Sequence, residues 1–232
     1  MGRVAEKYPE LAGKNALGDV APQTLCPANP DLRALLRGTL RDLTERFAPD
    51  SIELCDLRYH SGALGYGGLA IGFDPGEGFL ALLSICYSES SRQVAAERDI
   101  DTEAACRWAQ TALDRVLKSG QSLNRTLGEL IRDEEIPQSY LECQQDTLDA
   151  LLVGLIRQSE TDIHLVLPGD FEEGMRPSPV SVQQAAGIVL EAELEAPEEV
   201  AETITEVRRR FGEGQDLTLD YDAAGGLSGD AQ

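Results

Sequence analysis

The chain has 232 residues, 42% of them hydrophobic and 26% charged, which is length and apolar content enough to bury one large core or two smaller ones. Its 41 Asp and Glu outnumber its 20 Lys and Arg, for a net charge of −21. A surface of that sign repels phosphate backbones and anionic leaflets, so the expectation is no direct nucleic-acid binding and no membrane binding, with basic proteins and cations as the favoured partners.

Residues 1–28 contain Pro9, Gly13, Gly18, Pro22 and Pro27 and show no period, so they read as an extended arm or tail. Asn29-Pro30-Asp31 then supplies an N-cap, a proline at the first helical position and an acid in the first turn. Leu32, Leu35, Leu36, Leu40, Leu43 and Phe47 follow on one face, which predicts an amphipathic helix over 30–47. Three apolar runs come next, Ile52–Tyr59, Gly68–Phe73 and Phe79–Tyr87, separated by Gly-rich and Pro-rich turns. Their pattern predicts an antiparallel three-stranded meander, with the third run central.

A helical middle is expected after the meander. Asp101 caps a helix burying Ala105, Trp108, Ala112 and Val116 and ending before Gly120. Ser122 is read as the cap of a second, and Pro137 precedes a third that carries Leu141, Leu148, Leu151, Leu152, Leu155 and Ile156. The last third returns to β structure. It has a strand around Ile163–Leu167, a long Pro-rich loop and a half-exposed strand alternating Ile188, Leu190, Ala192 and Leu194 with Val189, Glu191, Glu193 and Glu195. Pro197 opens a helix that closes on Arg208, Arg209, Arg210 and Gly212, and a strand at Leu217–Tyr221 completes a β-β-α-β segment. The class is therefore α+β. The expected division is an arm (1–28), an α+β half with the meander (29–120), an acidic helix-plus-sheet half (121–222) and a flexible tail (223–232). Helix 30–47 leading into the strand at 52 parallels helix 138–158 leading into the strand at 162. Tandem α+β halves therefore compete with one continuous sheet.

The five cysteines, Cys26, Cys55, Cys86, Cys106 and Cys143, are odd in number, widely spaced and mostly in apolar surroundings. They read as reduced thiols and point to a cytoplasmic compartment, in keeping with a start that lacks an apolar signal segment. Gly65-Tyr66-Gly67-Gly68 lacks dinucleotide-fingerprint spacing and no phosphate loop is present, so no cofactor is expected. Cys55 and His60 are five residues apart, and no zinc-ligand spacing is readable. His164 reads as a core or rim residue, and Cys86 as a small buried hydrophobe rather than a nucleophile meeting His60. The acids are too numerous for any single pair to be assigned a catalytic role.

The charge is uneven along the chain. Residues 1–120 hold 13 basic and 17 acidic side chains and residues 121–232 hold 7 and 24, so 17 of the 21 excess negatives follow residue 120. Adaptation to high salt would spread acids throughout, whereas this asymmetry points to a local cause. Glu191, Glu193 and Glu195 share one strand face and Glu198 and Glu199 open the next helix. Arg33, Arg37 and Arg41 form an i, i+4 row in the nearly neutral half. These eight residues are the expected partner-binding set. The reading that follows is a non-catalytic acidic partner-binding protein: an accessory subunit, dedicated chaperone or immunity-type inhibitor that meets a basic protein or associates with itself, as a homodimer. An enzyme with a motif-free carboxylate or Cys/His site, and an inhibitor that mimics nucleic acid, are the rival readings.

Overall fold

The computed structural model describes residues 2–55, 59, 73–168, 177–192, 197–212 and 216–221. In chain order the elements are α1 (Gly2–Lys7), β1 (Ala12–Lys14), β2 (Val20–Leu25), α2 (Pro30–Phe47), β3 (Ser51–Leu54), α3 (Glu77–Leu83), α4 (Glu89–Ala96), α5 (Thr102–Ser119), α6 (Leu127–Ile131), α7 (Glu135–Gln158), β4 (Asp162–Pro168), α8 (Pro179–Val182), β5 (Gly187–Ala192), α9 (Pro197–Phe211) and β6 (Asp216–Tyr221). The class is α+β. An antiparallel pair β1–β2 and a separate four-stranded parallel sheet of order β3-β4-β5-β6 are combined with helices. The chain divides into two compact units. The first takes residues 1–39 and 58–151 and the second takes 40–57, 152–172 and 177–232, so α2 and α7 each begin in the first and end in the second.

In the first unit, the segment expected to be an extended arm is instead the hairpin β1–β2 with a helical turn before it, and Ala5, Leu11, Ala12, Ala21 and Leu25 are buried. Gly18 makes the hairpin turn, while Gly13 and Pro22 lie in its strands. Asp19 N–H donates to Asn15 Oδ1 at 2.9 Å, Asn15 N–H donates to the Asp19 carbonyl at 3.0 Å, and Gly18 takes a positive φ of 93°. A small cluster of Ala5, Leu11, Ala12, Leu25 and Leu32 packs this hairpin against the start of α2.

The meander is corrected. Its third run is helical: α3 buries Phe79, Leu82 and Leu83 while Leu80 and Ala81 are half-covered, the i, i+3, i+4 pattern of a helix. A run that is apolar at nearly every position carries no period, so strand and buried helix cannot be told apart from it. Packing decides. Gly78 N–H donates to the Leu123 carbonyl at 2.9 Å, and a Cβ at Gly76 or Gly78 would meet segment 123–125 at 2.5 Å. The middle run, apart from Phe73, lies outside the described residues. The first run does form a strand at 51–54, but it pairs in parallel with β4.

The helical middle forms as expected. Asp101 Oδ1 accepts from Ala104 N–H at 2.9 Å, and α5 ends at Gly120 with φ +65°. The next helix starts later than Ser122. Thr126 and Glu129 close a reciprocal capping box at the head of α6. Pro137 sits in the first turn of α7, where its missing N–H leaves no bond unmade. Phe79, Leu82, Ile85, Leu113 and Tyr140 form the centre of this core, with the Tyr87 and Tyr140 rings stacked at 4.9 Å.

In the second unit, the β-β-α-β segment is present as β4, β5, α9 and β6, with the short α8 between the first two strands. Ile163, Leu165, Val166 and Leu167 of β4 and Ile188, Val189 and Leu190 of β5 are all buried. β5 is therefore a central strand covered on both faces where it runs through the sheet, not the half-exposed strand that its alternation suggests. The two helix–strand pairs noted in the sequence end in neighbouring strands of one sheet, in register from Ser51↔Asp162 to Leu54↔Leu165.

Candidate functional site

A parallel sheet presents all its strand ends of one polarity on one side, and the loops leaving the carboxyl ends surround whatever binds there. Three of the four strands carry their register to that edge: Pro168 of β4 pairs with Glu191 of β5, and Glu191 pairs with Asp220 of β6. One step further, Ala192 pairs with Tyr221. β3 is shorter, ends opposite Leu165, and is followed by the exposed Cys55. Two acidic residues thus stand side by side at the carboxyl edge of adjacent parallel strands, which lie about 4.8 Å apart. Glu191 was singled out from the sequence. Asp220 was not, because only the register of β6 against β5 makes it a neighbour.

The other expected partner-binding residues are placed as follows. Glu193 and Glu195 lie outside the described residues. Glu198 and Glu199 fall in the first turn of α9, directly downstream of β5, where acids complement the helix macrodipole. The three arginines of the row differ in setting. Arg33 is half-buried; its Nε donates to the Pro27 carbonyl at 2.8 Å and its Nη2 to the Thr147 carbonyl at 3.0 Å. Desolvation lowers its pKa from the ordinary value. It is a strut between chain segments of the first unit, while Arg37 and Arg41 are exposed.

His60 lies outside the described residues. His164 is half-buried in the amino-terminal half of β4, in register with Glu53 and Gly187 and three positions before Leu167, so it is not at the carboxyl edge. Cys86 is fully buried in the first unit. Among the described residues, no group of three or more His, Cys, Asp or Glu side chains is arranged to hold a metal ion.

The first unit also has an open groove of about 770 Å³ that sequence reading did not find, lined by Lys14, Asn15, Tyr87, Glu89, Arg92, Glu103 and Gln110 among others. Its central cation is already committed. Arg92 Nε donates to the Tyr87 carbonyl at 3.1 Å, Nη1 pairs with the Glu103 carboxylate, and Nη2 reaches Cys106 Sγ at 3.3 Å. Gln110 Nε2 donates to the Ala16 carbonyl at 2.7 Å. These groups tie the hairpin turn, α4 and α5 together, which makes the groove a structural seam.

No family model matches the chain, and no curated protein matches it. Among solved structures, it is similar to a β-galactosidase from the psychrophilic Marinomonas ef1 at 14% identity and a TM-score of 0.47, covering 84% of this chain and 30% of that one. It is also similar to the catalytic domain of a β-amylase from Paenibacillus polymyxa at 12% identity and a TM-score of 0.44, covering 94% of this chain and 70% of that one. The chain spans less than a third of the length of that β-galactosidase. Likenesses at this level assign neither fold nor activity.

Proposed function

We propose that the carboxyl edge of the parallel sheet is a ligand site that works through carboxylates, with Glu191 and Asp220 as its functional pair. The observation that carries this reading is their register: two acids adjacent on neighbouring strands, at the end of a parallel sheet where ligands enter. Two carboxyl groups so placed are the pairing that general acid–base chemistry uses, one to donate and one to accept a proton. They also suit hydroxyl and ammonium donors, which a carboxylate accepts well. The net charge of −21 disfavours anionic substrates, so the ligand class is polar and neutral, or cationic.

The full chain is to be titrated calorimetrically with a panel of neutral polyhydroxyl compounds and small amines, and any ligand that binds is then assayed for turnover. Glu191→Gln and Asp220→Asn should each weaken binding or turnover at least about tenfold, the worth of one charge-assisted hydrogen bond, with the melting temperature unchanged. Binding that survives both substitutions sinks the proposal.

The second reading is a non-catalytic acidic surface that docks a basic partner or a second copy. The concentration of 17 of the 21 excess negatives after residue 120 favours it. In that case the same residues act as a surface, and their loss slows association in a salt-dependent way.

A further inference from the structure

In the first unit, Cys26 follows β2 and Cys86 lies between α3 and α4, 60 residues apart in the chain, yet their Sγ atoms are 3.8 Å apart. Both are buried, at 1% and 0% exposure. The Cys26 sulfur is also the centre of a hydroxyl cluster: Ser88 Oγ donates to it at 3.1 Å and Ser91 Oγ is 3.2 Å away. Ser88 is the N-cap of α4 and Ser91 is in its first turn, and the Ser88 hydroxyl is held at the helix end by accepting from Ser91 N–H at 3.3 Å. The Cys86 carbonyl is fixed as well, by Tyr140 Oη donating at 2.8 Å and by Gln144 Nε2. Two sulfurs in contact, on backbone that is pinned on both sides, need only side-chain rotation and a small shift to reach the bonding distance of about 2.05 Å.

We propose that Cys26 and Cys86 are a site of oxidative modification, forming a disulfide with a peroxide as the oxidant and locking the hairpin β1–β2 to the α3–α4 junction. The chemistry balances in two steps. The Cys26 sulfur, as thiolate, attacks one oxygen of hydrogen peroxide; the O–O bond breaks, a sulfenic acid forms, and the departing hydroxide takes up the thiol's proton as water. The Cys86 sulfur then attacks the sulfenic sulfur; the S–O bond breaks and the hydroxyl leaves with the Cys86 proton as a second water. Two thiols lose two electrons in all and one peroxide becomes two waters. Ser88 serves the first step by donating to Cys26 Sγ, which favours its negative form, while burial and the contact with Cys86 raise the Cys26 pKa in the closed protein. Because the pair is buried, reaction proceeds through local opening of the hairpin, and peroxide is small enough to enter a minor opening. The product closes a 60-residue loop, which removes unfolded-state entropy and makes the oxidised form harder to unfold.

The test treats the full chain with millimolar hydrogen peroxide, blocks remaining thiols, and maps peptides without reduction. The expected result is a linked Cys26–Cys86 peptide, a fall from five titratable thiols to three, and a higher melting temperature that reductant reverses. Cys26→Ser and Cys86→Ser should each abolish the linked peptide and the melting shift. The wild-type peptide map stands without them should either variant fold poorly. Recovery of all five thiols, oxidation confined to Cys55, or a linked form that melts no higher than the reduced one overturns the proposal.

Discussion

Arg33 and Asp220 illustrate how little residue type says about role. Arg33 belonged to a regular i, i+4 row that suggested a docking face, and it is instead spent on two backbone carbonyls. Asp220 stood out in no pattern, and it lies beside Glu191 because of strand register alone. The cysteines were more legible, since an apolar context around a cysteine is a direct statement of burial; four of the five are buried and Cys55 is exposed. Burial raises Tyr59, Tyr87 and Tyr140, and the hydrogen bond with Cys86 together with burial raises Cys26, all above their ordinary values. A group whose pKa is raised by folding leaves stability unchanged below its unfolded pKa and costs stability above it, because the unfolded chain then ionises first. Stability measured by urea unfolding should therefore be flat from neutral pH to about 8.5 and fall above it. Each such group contributes a slope approaching about 1.4 kcal/mol per pH unit. A profile flat to pH 11 would show that these groups ionise in the folded protein without penalty.

Capping was the most readable feature among the elements, because it depends on neighbours in sequence. α5 begins at Asp101 and ends at Gly120 as its residues dictate. Asp101→Ala should destabilise the protein by about 0.5–2 kcal/mol in urea unfolding, with Asp101→Asn recovering most of the loss. An alanine variant as stable as the parent would mean that tertiary packing alone fixes the start of this helix. α3 was not readable in the same way. The run Phe79-Leu80-Ala81-Leu82-Leu83 is apolar throughout, and its helical state is chosen by the approach of segment 123–125 over Gly76 and Gly78. That contact joins parts of the chain that no local window contains. β5 failed for the opposite reason. Its polar alternation was real, but the strand runs through a parallel sheet that covers Val189 as well as Ile188 and Leu190.

At the scale of the molecule, the net charge of −21 acts over the Debye length, about 10 Å at 0.1 M salt. Added sodium chloride should raise the melting temperature, with most of the gain complete by a few hundred millimolar as surface repulsion is screened. A gain that continues steeply into molar salt would support adaptation to salt as the origin of the acids. Affinity purification of the tagged protein at low and high salt belongs to the same scale. A basic partner retained at low salt and lost at high salt supports the docking surface, and its absence at both leaves the carboxylate site. None of the described helices is long and apolar enough to cross a membrane.

The sequence by itself determined the α+β class, the long helices with their caps, the buried thiols and the clustering of acid after residue 120. Each of these is written in composition or in neighbours a few positions apart. Only the tertiary structure decided that β3 joins a parallel sheet with β4, that a third apolar run is helical, and that Glu191 meets Asp220 and Cys26 meets Cys86. All four depend on segments distant in the chain, 60 residues apart for the thiol pair. The free energy of such contacts comes from packing and register, to which local patterns contribute no term.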